Sequence, residues 1–199
     1  MKKADLHCHS IYSEHPTEWF LQKLGAKESY TEPEFIFREA KRRGMDFVSI
    51  TDHNRIDGAL KLKELYPSDV IVGVEATTYF PEDMCKIHVL IYGIDELHFE
   101  VINHIRKDIY ELRDYLQKED IAHSVAHASY SVNGKLSIPH LEKLVLLFDH
   151  FETINGGRNK QSNLGWKNIL DNLNADNMHD IYRKHRIEPF SQQPWIKGY

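Results

Sequence analysis

The segment Ala4-Asp5-Leu6-His7-Cys8-His9-Ser10, near the start of the chain, carries residue types that packing alone does not call for. If it is a strand, side chains alternate between two faces, so Asp5, His7 and His9 point one way and Leu6 and Cys8 the other. Two imidazoles two residues apart on a strand lie roughly 6 to 7 Å apart at Cα, close enough for both to reach one ion. Burying them beside a carboxylate without a cation is costly, so the chemistry this face suggests is metal ligation. Partners must then come from elsewhere in the chain. The candidates are His15 in the polar stretch that follows, Asp52-His53-Asn54 directly after an apolar run, Glu75 among β-branched residues, His88 and His127. An ionised Glu75 in such a run requires a cation or several hydrogen-bond donors.

The elements that must position these residues alternate. After the first strand, Ser10 to Ser29 is polar and irregular. Thr31-Glu32-Pro33-Glu34 predicts a helix start, with Glu34 and Thr31 forming a capping box, and Gly44 ends that helix after Arg43. Strands are predicted at Met45–Thr51, Val70–Thr78, Lys86–Gly93, Ile121–His127 and Phe148–Asn155. Helices are predicted from Asp57 to Tyr66, Leu97 to Lys118, Ile138 to Leu147, Asn163 to Leu173 and Ala175 to His185. Alternation joined by short loops argues for a parallel α/β arrangement, and no glycine-rich dinucleotide fingerprint follows the first strand. The chemical residues gather at strand C-termini, where a barrel builds its active site. His123 shares a face with His127 but lies deeper and is expected to pack in the interior.

The chain has 199 residues, 41% of them hydrophobic and 28% charged, which suits one globular domain rather than a disordered chain. A net charge of −5 with no dense Lys or Arg run argues against a long nucleic-acid partner and leaves a small anionic substrate open. Two cysteines, Cys8 and Cys85, are too few for a disulfide framework. The stretch Met1-Lys2-Lys3-Ala4-Asp5 lacks a leader's apolar core, and no apolar run approaches bilayer length, so a cytoplasmic protein with no membrane partner is expected.

Taken together, Asp5-Leu6-His7-Cys8-His9-Ser10, Thr51-Asp52-His53-Asn54, Glu75, His88-Val89-Leu90-Ile91-Tyr92-Gly93, Ala126-His127 and Phe151-Glu152-Thr153-Ile154-Asn155 resemble the PHP family, named for polymerase and histidinol phosphatase. The resemblance runs in order over nearly the whole chain and implies a distorted (β/α)7-type barrel and a metal-dependent phosphoesterase. It also implies ligand roles. His7 and His9 would hold one metal, Glu75 would bridge it to a second held by His88 and His127, and His15 with His53 would contribute to a third. Two or three divalent ions are thus expected, with Zn, Mn or Fe all suiting a mixed imidazole and carboxylate site. The expected reaction is attack of a metal-activated hydroxide on a phosphate ester of a small phosphorylated molecule or nucleotide.

Within that resemblance, Asp5 and Asp52 are expected to orient imidazoles, with Asp52 also a candidate proton carrier. Arg158 is the candidate for gripping phosphate through its fork of donors, with Asn54 and Asn155 on the same rim. The sequence departs from the family in two places. Ala128 stands where proline is usual, and the terminal strand bearing an Asp and a His ligand is missing, so the barrel is expected to be incomplete at the C-terminus of a single 1–199 domain. An unpaired edge there would invite self-association. The same departure leaves two other readings open. One is a truncated, non-catalytic domain or fragment that binds metal or a partner. The other is an exonuclease of the same chemistry.

Overall fold

A computed structural model describes residues 2–13 and 23–191, together with the backbone of 197–198. His15 lies outside the described residues. The chain divides into two compact units, one of residues Met1–Thr77 and Leu90–His104, the other of Thr78–Val89 and Ile105–Tyr199.

In the first unit, β1 (Ala4–Cys8), β2 (Phe47–Ile50) and the start of β3 (Val70–Phe80) pair in parallel in chain order. Val48 and Ile50 of β2 are fully buried, as a short apolar strand covered on both faces requires. Helices α1 (Pro33–Arg42) and α2 (Asp57–Leu65) follow β1 and β2. Pro33 opens α1 with its φ already set for a helix, and Pro33, Phe37 and Ala40 form its buried stripe. The expected capping box does not form. Glu32 is the N-cap and makes no side-chain cap bond, while Glu34 pairs with Lys61 at 3.0 Å and the Thr31 carbonyl accepts from Ile11 N. Gly44, at φ 80°, follows α1 in the left-handed conformation glycine favours.

The predicted long helix is two: α3 (Glu96–Ile105) and α4 (Ile109–Lys118). Asp108 adopts extended backbone between them and accepts from Tyr110 N at 2.8 Å and Glu111 N at 3.4 Å, which starts a new helix. The apolar period runs through the break, since Ile102, Ile109, Leu112 and Leu116 are all fully buried. Periodicity alone therefore reads one helix.

Strand β4 (Cys85–Tyr92) follows β3 after residues 81–84, too few for a crossover helix, so strict alternation lapses there. In the second unit, β5 (His123–Val125), β6 (His150–Phe151) and β7 (Lys197–Gly198) pair in parallel. A strand thus does follow the last helix, where the sequence suggested only the approach to one, and it covers the edge of β6. Helices α5 (Ile138–Leu147), α6 (Lys160–Asp171) and α7 (Ala175–His185) complete this unit. Glu142 of α5 accepts from Lys184 and His185 of α7, each at 2.7 Å. The result is a mixed α/β fold. No helix among the described residues is long and apolar enough to cross a membrane.

Candidate metal centre

The centre in the first unit is built at the C-terminal ends of its strands. An isolated parallel bridge between His53 and Glu75 extends the β2–β3 ladder: Asn54 N donates to the Glu75 carbonyl at 3.1 Å, and Glu75 N to the Asp52 carbonyl at 3.3 Å. This sets the His53 and Glu75 side chains next to each other. On the other side of β2, Asp5 pairs with Val48 and Cys8 with Ile50, so three steps on β1 match two on β2. Such a bulge re-aims side chains. His7 and His9 still converge, their Nε2 atoms 3.2 Å apart. Asp5 does not join them by simple alternation. It lies against Cys8, whose thiol is pushed up by burial and by that carboxylate.

Glu75 is 1% exposed, and its Oε2 faces His7 Nε2 at 3.3 Å, His9 Nε2 at 3.0 Å and His53 Nδ1 at 3.2 Å. Three ring nitrogens crowd one buried carboxylate oxygen. His7, His9 and Glu75 form a group whose ligand atoms could share a divalent cation, and nitrogen plus carboxylate oxygen is a set that zinc, manganese and iron accept. Burial opposes a charged His53, but Glu75 and Glu28 on either side outweigh it and hold its pKa above the ordinary value.

Sequence reasoning missed two residues of this centre. Glu28 Oε2 lies 3.1 Å from His53 Nε2, and Ser13 Oγ contacts both Glu28 Oε2 at 2.9 Å and His9 Nδ1 at 3.2 Å. His9, Glu28 and His53 form a second group able to hold an ion. Neither Glu28 nor Ser13 sits on a patterned element, so only their residue types in a polar loop could have flagged them.

Asp52 and Asn54 each hold a neighbouring segment. The Asp52 carboxylate accepts from Ser10 N at 2.6 Å and Ser10 Oγ at 2.7 Å, and burial pushes its pKa up against those bonds. At 1% exposure, and with a Cβ at Gly58 calculated to fall 2.7 Å from its Oδ2, it is a clamp on the exit of β1. Asn54, at φ 54°, accepts from Thr77 N at 2.8 Å and donates to Thr77 Oγ1 at 3.1 Å.

In the second unit, His88 near the start of β4 and His127 just past β5 meet edge to face, with ring centroids 5.4 Å apart. His127 has φ 31°, in the left-handed region, and its N–H donates to Glu152 Oε2 at 2.9 Å. Asn155 Nδ2 donates to the same oxygen at 2.9 Å, and Asn155 Oδ1 accepts from Gly157 N at 2.9 Å. Glu152 therefore fastens the strained His127 backbone, and Asn155 braces Glu152. A cavity of about 250 Å³ opens beside them, lined among others by Tyr130, Arg158, Ser162 and Trp166. The Arg158 guanidinium lies 3.5 Å from the Tyr130 ring centroid. His123 is interior, as expected: buried, hydrogen-bonded through Nδ1 to the Ile121 carbonyl at 2.7 Å and edged by Phe148 and Phe190.

No family model matches the chain. An uncharacterized protein of Methanocaldococcus jannaschii is 40% identical over 79 residues, which is 38% of this chain and 44% of that protein, so the match spans less than half of the relative's length. Among solved structures, a candidate metal-dependent phosphoesterase from Bifidobacterium adolescentis aligns over 94% of this chain and 85% of its own, at a TM-score of 0.51 and 14% identity. An amidohydrolase from Chromobacterium violaceum aligns over 98% of this chain and 60% of its own, at 17% identity and a TM-score of 0.38. The chain thus has a mixed α/β fold similar to that of the Bifidobacterium protein, and on it a half-buried cluster of histidines and carboxylates around the buried Glu75, suited to a divalent metal.

Proposed function

We propose that this protein is a metal-dependent hydrolase of phosphate esters, acting on a small phosphorylated molecule or nucleotide, on a distorted β/α barrel of the PHP type. One observation carries the reading: three imidazole nitrogens lie within 3.3 Å of the single buried oxygen Glu75 Oε2. The similarity in fold to a candidate metal-dependent phosphoesterase supports it. His7, His9 and Glu75 would hold one divalent cation, with His53 against the same Glu75 oxygen, and His88 with His127 would form the imidazole pair for another. A cation so held lowers the pKa of water and draws charge from phosphoryl oxygens.

The chain's own residues supply the rest. The Asp52–Ser10 clamp fixes the exit of β1, so His7 and His9 need little reordering to bind. Glu152 does the same for His127 through its backbone. Arg158, laid on Tyr130, offers a planar fork of donors that matches a phosphate's oxygens. A net charge of −5 favours a small substrate over a long polyanion.

The test is metal stoichiometry by elemental analysis, with phosphatase assays on mononucleotides and oligonucleotides, for the parent and a His7→Ala, His9→Ala variant. About two metals in the parent, a clear loss in the variant and turnover of mononucleotides are expected. A folded parent that takes up neither Zn nor Mn overturns the reading. Metal uptake without turnover of any phosphate ester would instead leave a metal-binding, non-catalytic domain.

A further inference from the structure

The geometry points to Glu28 as a positioning residue for the metal centre. From the loop ahead of α1 it would hold the outer nitrogen of His53 directly and that of His9 through Ser13, turning both inner nitrogens toward Glu75. This rests on the metal-centre reading above.

The two rings are each gripped at both ends. His53 presents Nδ1 to Glu75 Oε2 at 3.2 Å and Nε2 to Glu28 Oε2 at 3.1 Å. His9 presents Nε2 to Glu75 Oε2 at 3.0 Å and Nδ1 to Ser13 Oγ at 3.2 Å. Ser13 Oγ donates to Glu28 Oε2 at 2.9 Å. A hydroxyl has one proton, and an ionised carboxylate only accepts. With that proton given to Glu28, Ser13 must accept from His9, which places the ring proton on Nδ1 and leaves the Nε2 lone pair facing the centre. For His53 the same logic puts the proton on Nε2 and the lone pair on Nδ1. A ligating histidine ordinarily donates its other ring N–H to a carboxylate or carbonyl, and here one carboxylate serves two rings.

The loop is fastened for this purpose. Ser13 is fully buried, its Oγ accepts from His53 N at 3.1 Å, and its carbonyl accepts from Glu28 N at 3.3 Å. Direct ligation by Glu28 fits less well. His9 Nδ1 is 4.0 Å from Glu28 Oε2, and both rings would have to bind cations through both nitrogens, which requires removing the last ring proton.

The test titrates the metal-free full chain and its Glu28→Ala and Glu28→Gln variants with Co²⁺, by calorimetry and visible absorption. Glu28→Ala is expected to weaken binding about 10- to 100-fold, the usual cost of losing such a partner, with the number of ions at saturation unchanged. Glu28→Gln should recover part of the loss and the parent's absorption bands, because its amide oxygen still accepts from Ser13 and His53. Circular dichroism melts of the metal-free forms guard against misfolding, and if Glu28→Ala fails to fold, Glu28→Gln against the parent decides. Unchanged affinity in Glu28→Ala overturns the inference, as does loss of one whole ion at saturation, which would make Glu28 a ligand. A parent that binds no Co²⁺ refutes the metal-centre reading itself, so the two failures are distinct.

Discussion

Replacing Asp52 tests whether it clamps or carries protons. Its carboxylate takes two hydrogen bonds from Ser10, at 2.6 Å from the amide and 2.7 Å from the hydroxyl, and Ser10 is fully buried. A hydrogen bond to a charged group contributes about 1.5 to 3 kcal/mol net, and stranding a buried N–H costs about 1 to 3 kcal/mol. Burial already works against this charge, as the raised pKa records, so the lower end of each range applies. Asp52→Ala should therefore cost about 3 kcal/mol. Asp52→Asn can still accept from Ser10 N while its NH₂ donates to Ser10 Oγ, and should cost about 1 kcal/mol or less. Urea denaturation of the metal-free protein followed by circular dichroism measures both, with a common m value as the check on two-state behaviour. The clamp is refuted if Asp52→Ala costs under about 1 kcal/mol, or if Asn and Ala are equally damaging. An Asp52→Asn protein of normal stability and metal content that has lost turnover would restore the proton-carrier role.

Two further outcomes concern the second unit and the helix break. Burial holds the His123 pKa below its ordinary 6.5; its Nε2 is buried with no hydrogen-bond partner among the described residues, and its ring is edged by Phe148 and Phe190, with Asp149 and His150 more distant. The folded chain then binds fewer protons than the unfolded one below pH 6.5, so this residue's share of stability is complete above that pH and falls as pH drops below it. His123→Phe should flatten that acid limb in urea midpoints taken between neutral and mildly acid pH, and an unchanged slope would contradict the assignment. Asp108→Ala should remove the α4 cap at a cost of about 1 kcal/mol in the same assay, with Asp108→Asn much milder; equal losses would mean that charge, not capping geometry, matters.

The parts of the centre that the sequence determined are those written in local pattern. His7 and His9 stand two apart on a strand, His53 follows an apolar strand at once, and Glu75 interrupts a β-branched one. Each is a polar residue in a place where burial is otherwise the rule, and the parallel ladder brings such strand ends together whatever the details. The α/β class follows from the same local periods.

Tertiary structure decided what those residues do with one another. The bulge between Asp5 and Cys8 takes Asp5 to the thiol, because register belongs to the pair of strands and not to either alone. Asp52 and Asn54 read as active-site groups in the chain, and the partners their side chains take, Ser10 and Thr77, stand 42 and 23 positions away. The break at Asp108 is hidden by an apolar period that continues across it. Glu28 and Ser13 carry no pattern at all, and Glu152, though it stands in a patterned strand, shows no sign there of the amide it would hold. Their roles exist only because loop closure and β6 bring a carboxylate or hydroxyl to a ring nitrogen or a strained amide. A hydrogen bond depends on position in space to a few tenths of an ångström, and spacing along the chain does not encode that.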